Sequence, residues 1–598
     1  MTINAINLGS SFTNANGTPV LSGFASGLDT NSIINSLVAA QTTQVTTLQD
    51  QVTVNNTKSS SLSSLSSLLS QFQTAAAALA APSSPDTTTN VFAFRTATIN
   101  SNTSQAASNY LTATTSSLAT PGSYTISNIT SVAEPTIQET SAFSIASPDT
   151  SVVTSTPTAG SLTAGTFTVN GQSITLTANE TLSQVAAAFN NVSTNTGIAA
   201  STIKVANGSY KLIFTSTSSG TANSFDFSGN ANITSGKSDV FSQISFATDQ
   251  SASDAVFQFN GVSVTRPSNT VSDLVSGVTF NLLQNTNNET NPSFTINVQP
   301  DTTSISNGIT NFVNAYNNFL SFYATQTQID PTTGQPASGA TLYNDTSLDT
   351  IHSEIVSAAT SIVSGLSGNN NLADLGISFT DVPATSTSPE VDNELSIDSS
   401  TLNTALTNNL SDVENIFGYN TTTSSSNLAV YSPPTNASSI PSYTVNVDQV
   451  NGVYTAQYTD SSGNQQTVNL TQAALGSANA ISLSAPSNSA LAGLQLIYGG
   501  GGSQSGITVT STNGIANQLS SFLTSVTDPN TGLIATEQNT IATQNTTTQT
   551  QITTINTQIA TQKQTLLTKF SQLESAISSA NSTLNYLNAQ QLAASGNP

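Results

Sequence analysis

The C-terminal stretch from Thr536 to Gln590 constrains the chain most. It holds neither Gly nor Pro, and its apolar residues recur at Ile552, Ile555, Ile559, Leu566, Phe570, Leu573, Ile577, Leu584 and Leu587. With Gln562 and Ala580 in the gaps, the steps alternate three and four, apart from one extra-four step from Leu566 to Phe570. That spacing predicts a coiled-coil seam with one stutter that locally unwinds it. A seam requires a partner. A comparable stretch lies at the other end of the chain, where Ile34, Val38, Val45, Leu48, Val52, Leu62, Leu65, Leu69 and Phe72 keep a similar repeat until Pro82 and Pro85 end it. A helix of that span would be about 75 Å long, more than one globular core covers. The two termini are therefore expected to meet.

Composition narrows the partners. Only 7% of the 598 residues are charged, and 8 basic against 31 acidic residues give a net charge of −23. No basic patch exists for nucleic acid or an anionic membrane. With no Cys and one His, thiolate chemistry, a zinc site or a Ser-His-Asp set has little to draw on. The reading is of a non-enzymatic chain with no cofactor and no metal. The opening residues Met1 to Asn7 lack the basic and apolar regions of a cleavable signal, and no run is long enough for a membrane span.

In chain order, 1–30 reads as a flexible leader with an N-cap at Asp29 or Thr30. Residues 31–90 hold the N-terminal leg helix. Two-residue alternation then marks β-rich domains: 91–156 with 237–300 as one discontinuous domain, and 157–236 inserted within it. Asn170-Gly171, Asn207-Gly208 and Asn260-Gly261 mark hairpins, with a short helix over Leu182 to Phe189. Residues 301–420 read as a helical, mixed domain, with a helix from His352 to about Leu366 and another from Leu402 to Phe417. A Ser/Thr/Asn/Pro-rich linker is expected at 421–441, a further β module at 442–510, and the C-terminal helix and coiled coil at 511–598.

His352 reads as a helix-surface residue. Glu390, Asp392, Glu394 and Asp398 place alternate carboxylates on one strand face, which would suit calcium or, more simply, a solvated edge. Gly499 to Gly502 lacks the Lys-Ser/Thr of a phosphate loop and reads as a hinge or linker.

Several ordered motifs resemble the flagellar hook-associated protein 2 family of bacterial filament-capping proteins. They are Gly23-Phe-Ala-Ser-Gly-Leu-Asp29, Pro121-Gly-Ser-Tyr-Thr-Ile126, Arg266-Pro-Ser-Asn-Thr270 and Gly277-Val-Thr-Phe-Asn-Leu282, then Phe312-Val-Asn-Ala-Tyr-Asn317 and Leu372 through Asp381. Leu395-Ser-Ile-Asp398, Leu567 through Glu574 and Leu584 through Gln590 complete the set. The resemblance implies an α+β multidomain, flagellin-like fold: a terminal coiled-coil leg and a helical D1-type domain, with inserted β-rich heads. It implies export through the flagellum and a homo-oligomeric ring of a few subunits at the distal filament tip, secreted and hook-associated. The implied partners are flagellin, hook-filament junction proteins, the export apparatus or its chaperone, and a host or surface ligand for adhesion. The family's terminal helices usually carry many charges. Here Gln, Thr and Ser stand instead, so the stalk is expected to be poorly ordered in the monomer. A secreted β-rich adhesin or surface-layer protein is the alternative from another class.

Overall fold

The computed structural model describes residues 11–13, 19–21, 26, 28–80, 89–229, 232–363, 366, 369–385, 388–434, 440, 442–475 and 480–596. Most of the leader at 1–30 lies outside them, apart from a small antiparallel pairing of Ser11–Thr13 with Pro19–Leu21. The chain divides into two compact units, one of 1–83 with 306–598 and the other of 84–305.

The first unit is built on two long helices. The N-terminal helix runs from Thr30 to Leu79, and the Asp29 carboxylate accepts the Ser32 amide at 3.1 Å to start it. The C-terminal helix runs from Leu533 to Ser595 and follows the shorter helix Ile515–Thr527. Over Leu62, Leu65, Leu69, Phe72, Ala76 and Leu79 the N-terminal helix is wholly buried. Phe72 packs on Phe312 and Tyr316 at ring-centre distances of 5.4 and 6.1 Å, and Phe312 reaches Phe417 at 5.7 Å. Each such side chain contributes about 1.5–3 kcal/mol by leaving water, so this half of the helix is fixed by a real core.

Helix Thr346–Thr360 begins six residues before the point expected from His352, because Asp345 caps it with bonds from the Ser347 and Leu348 amides. The single helix expected over Leu402 to Phe417 is two, Ser399–Asn408 and Leu410–Phe417, broken at Asn409 where the backbone leaves helical geometry.

The predicted linker at 421–441 needs correction. Tyr419–Thr423 and Leu428–Ser432 are strands, and Tyr419 pairs with Asn513, so the β module spans 419–513. Its polar composition hid it. Asn420-Thr-Thr-Thr423 forms a strand because β-branched Thr fits the pleat whether or not it is buried. The module is a sandwich. One sheet has the order 419–423, 504–513, 442–448, 453–459, 465–469; the other runs 428–432, 495–498, 481–484, 471–474. Between them lie Tyr443, Val445, Leu483, Leu496, Tyr498 and Val509.

The second unit has two cores. One lies between a five-stranded antiparallel sheet, with Gly122–Ser131 central, and the three-stranded sheet Thr270–Val275, Val278–Leu282, Leu111–Thr115. The other gathers Phe143, Phe167, Phe189, Phe214, Phe227 and Phe241. Its strands include Ile137–Thr140 and Phe246–Gln250, which pair with each other. The insertion is therefore wider than the predicted 157–236, with its neck at the bridge between Glu134 and Ser253. Gly236 misled the sequence reading. It is not a boundary but an interior turn at φ +73°, where an added Cβ would meet the Thr166 carbonyl at 2.2 Å.

Candidate functional site: the paired terminal helices

The two long helices run antiparallel. Ser26 donates to Glu574, Asn55 Nδ2 to Asn545 Oδ1 at 2.9 Å, and Gln538 Nε2 to Ser63 Oγ at 2.9 Å, so one helix climbs as the other descends. Asn545 also donates to Asn56 Oδ1 at 2.9 Å. Extending the seam back from Ile552 by the same steps gives Thr548, Asn545, Ile541, Gln538 and Ile534. Ile541 and Ile534 are buried, and Asn545 and Gln538 make the interhelical bonds. Asn55 falls on the seam of the other helix, three residues past Val52. Polar side chains at seam positions cost stability but allow only one register. The sequence reading stopped at Ile552 because it followed apolar residues alone; carrying the period through the polar positions would have found these pairs.

The strongest polar contact is a triad. Lys58 Nζ lies 2.8 Å from Asp345 Oδ2 and 2.7 Å from Glu537 Oε1. It ties both terminal helices to the cap of helix Thr346–Thr360. Burial pushes the Lys58 ammonium down, but hydrogen bonds and the charges of Asp345 and Glu537 outweigh it and hold it above its ordinary value. Burial likewise pushes the Asp345 carboxyl up. Its bonds with Lys58 and the Leu348 amide, with the Lys58 charge, prevail and keep it below the usual carboxylate range.

The predicted seam residues separate into three groups. Ile34, Val38, Val45, Leu62, Leu65, Leu69 and Phe72 are buried, and Leu48 and Val52 half-buried. On the C-terminal helix Ile552 is buried, while Ile555, Ile559, Leu566, Phe570 and Ile577 are half-buried. Leu573, Leu584 and Leu587 are 44%, 56% and 55% exposed, so this chain itself leaves that part of the expected oligomer or filament interface uncovered. The register explains this: with Ser26 opposite Glu574, the N-terminal helix has ended before these residues are reached.

The remaining candidates have local roles. His352 is half-buried, not a free surface residue: it stacks on Tyr323 at 3.8 Å and 6°. Burial pushes its imidazole pKa down, against the raising charges of Asp349 and Asp392. A crease of about 320 Å³ beside it is lined by Leu320, Tyr323, Glu390 and Asp392. The four carboxylates do not share one strand face. Asn393 takes φ +60° and breaks the alternation, and Asp398 caps helix Ser399–Asn408. Among the described residues no group of three metal-ligating side chains forms. The glycine run crosses between the two sheets of the sandwich, where Tyr498 Oη donates to the Gly502 carbonyl at 2.7 Å. A Cβ at Gly500 would strike that hydroxyl, so the run links the two sheets with one glycine fitted against Tyr498.

A register-specific pair of long helices, with β units between them in the sequence, defines an α+β multidomain protein with a helical leg. Residues 26–136 match the description "Flagellar hook-associated protein 2 N-terminus", and residues 252–582, more than half of the chain, match the corresponding C-terminus. The chain belongs to the flagellar hook-associated protein 2 family, and so to the structural proteins of the bacterial flagellum. The stretch between the two matches, 137–251, is nearly the insertion closed by the Glu134–Ser253 bridge.

Among similar proteins, flagellar hook-associated protein 2 of Helicobacter pylori (strain ATCC 700392 / 26695) is 43% identical over 84 residues, 14% of this chain and 12% of the relative. The A-type protein of Pseudomonas aeruginosa is 30% identical over 179 residues, 26% of this chain and 37% of the relative. The chain thus spans only a minor part of the length of these curated relatives. The solved D1-D2-D3 domains of the flagellar cap protein from Escherichia coli are 27% identical with a TM-score of 0.41, covering 60% of this chain and 89% of that one.

Proposed function

We propose that this chain caps the flagellar filament: several copies form a ring at the distal tip, retain exported flagellin, and promote its folding and insertion as the filament elongates. The observation that carries this reading is the antiparallel terminal pair, whose register is set by polar contacts while Leu584 and Leu587 extend past it uncovered. A leg of that kind has a fixed root and a free apolar end to set against neighbouring subunits. Its partners are then copies of itself and flagellin, with hook-filament junction proteins and the export apparatus or its chaperone met on the way out. The β units would contribute to adhesion. Deleting the gene in its host should give short or absent filaments, flagellin shed into the medium and lost motility, all restored by the intact gene. Filaments of normal length without shedding would refute the proposal.

A further inference from the structure

The Asn-Gly steps of this chain are chemically unequal. In such a step the glycine amide nitrogen attacks the asparagine side-chain carbonyl carbon. A C–N bond forms, ammonia leaves, and the resulting succinimide takes up water and opens to aspartate or isoaspartate. Reaction requires a side-chain amide free to turn and a following backbone amide not already engaged.

Most of the described steps fail one requirement. Asn170 Nδ2 donates to the Thr196 carbonyl at 2.7 Å while its Oδ1 accepts from Asn232 at 3.0 Å. Asn260 Oδ1 accepts the Thr125 amide at 2.8 Å. Both also sit at positive φ, 45° and 48°, in tight two-residue turns. Asn451 Nδ2 donates to Asp448 Oδ2 at 2.7 Å, beside a carboxylate that opposes the developing anion. Asn307 precedes Gly308 inside helix Thr302–Thr327, whose ladder engages the amide. Gly514 donates to the Gly418 carbonyl at 2.7 Å, and Asn513 Oδ1 accepts from Asn517 at 2.7 Å. The step at Asn16 lies outside the described residues.

Asn207 differs in its side chain. It is exposed at the tip of the hairpin Ile198–Ala206 and Ser209–Ser216, and no side-chain hydrogen bond holds it among the described residues. Asn207-Gly208 is also a two-residue turn, with Ala206 opposite Ser209, but the irregularity between Lys204 and Ala206 interrupts the ladder beside it. Gly208 has open space around it at φ +74°. We propose that Asn207 is a self-modification site, the described Asn-Gly step that converts first to aspartate and isoaspartate in the folded protein. Each event adds one carboxylate to a tip whose nearest charged residue in the sequence is Lys204.

Trypsin cleavage after Lys204 and Lys211 isolates the site in the peptide Val205–Lys211. The intact folded protein is incubated in mildly alkaline buffer, digested at intervals, and read by mass spectrometry with isoaspartate detection. Deamidation in this peptide should run about tenfold faster than at Asn170, Asn260 or Asn451, the factor expected when roughly one hydrogen bond must break first. In urea-unfolded protein the difference should collapse, and Asn207→Gln should remove the fast phase of ammonia release. Equal or slower reaction at Asn207 in the folded protein overturns the proposal. So does a difference that persists unchanged in urea, or a fast ammonia phase that survives Asn207→Gln.

Discussion

Replacing Lys58 with methionine isolates what the buried triad does. Methionine keeps most of the apolar stem and removes the charge. The substitution leaves Asp345, whose side chain is 2% exposed, against Glu537, 16% exposed, with no cation between them. Removing one partner of a buried ion pair costs about 3–5 kcal/mol; with the Lys58 side chain 31% exposed, solvent screening brings this to about 2–3 kcal/mol. A chain of several units does not melt in one transition, so the readout is native-state hydrogen exchange. Amides in helix Thr346–Thr360 and in the first turns of helix Leu533–Ser595 should lose that much opening free energy, and the β units should lose none.

The pH dependence provides a second test of the same substitution. Asp345 has a lowered folded pKa, so its stabilising effect is present above the unfolded value near ~3.9 and is lost as pH falls through the folded one. Lys58 has a raised folded pKa, so its effect is present below about 10.4 and is lost as pH rises through the folded value. The triad is thus at full strength from about pH 5 to 10. In the variant the buried Asp345 carboxylate has lost its cation, and acid neutralises it, so the gap between native and variant protein should shrink towards pH 4. Adding Asp345→Asn and Glu537→Gln should recover most of the loss at neutral pH. A cost below about 0.5 kcal/mol, the level of an ordinary surface change, or a gap that widens in acid would refute the reasoning.

Replacing Asn55 with Val and Asn545 with Ile together should raise the melting temperature of the helix pair while relaxing its register. Disulfide trapping between cysteines placed at Ser63 and Gln538 would then fall in yield as off-register pairs appear. Leu584→Ser with Leu587→Ser should change monomer stability by less than about 0.5 kcal/mol, since both are exposed, yet reduce swarming motility and filament length. Gly236→Ala should cost about 3 kcal/mol or more in the 84–305 unit, from positive φ together with the Thr166 carbonyl clash, measured by urea unfolding with tyrosine fluorescence. Circular dichroism of the monomer should show the segment past Glu574 melting first, because Thr- and Asn-rich helix without a partner is weak by itself.

Periodicity made the long helices legible, and the Asn-Gly turns made most hairpins of the 84–305 unit legible. What escaped was structure whose cause is not apolar. Tyr419–Thr423 is a strand of polar residues, recognisable only through its pairing with Gln504–Asn513 far along the chain. The insertion was drawn too narrow because Ile137–Thr140 and Phe246–Gln250 are separated in sequence and meet only in the sheet. In the sequence Lys58 is one of 8 basic residues and nothing beside it sets it apart. Its importance appears only once Asp345 and Glu537 converge on it.

The shortage of charge on the terminal helices then takes on a definite physical meaning. Flanking Glu/Lys pairs normally select partner and register in a coiled coil. Here the selection is concentrated at a few seam positions: Asn55 and Asn56 against Asn545, Ser63 against Gln538, and Lys58 between two carboxylates. All lie near the rooted half of the pair. Farther out, threonine hydroxyls turn back on their own helix, as Thr557 does to the Thr553 carbonyl and Thr561 to that of Thr557, each at 2.9 Å. They satisfy the helix itself and make no demand on a neighbour. The root is thereby locked to one register while the outer leg presents small apolar contacts and few fixed charges. Apart from the buried Glu574, such a surface strands no ion when it leaves one neighbour for the next, as the proposed capping role would require.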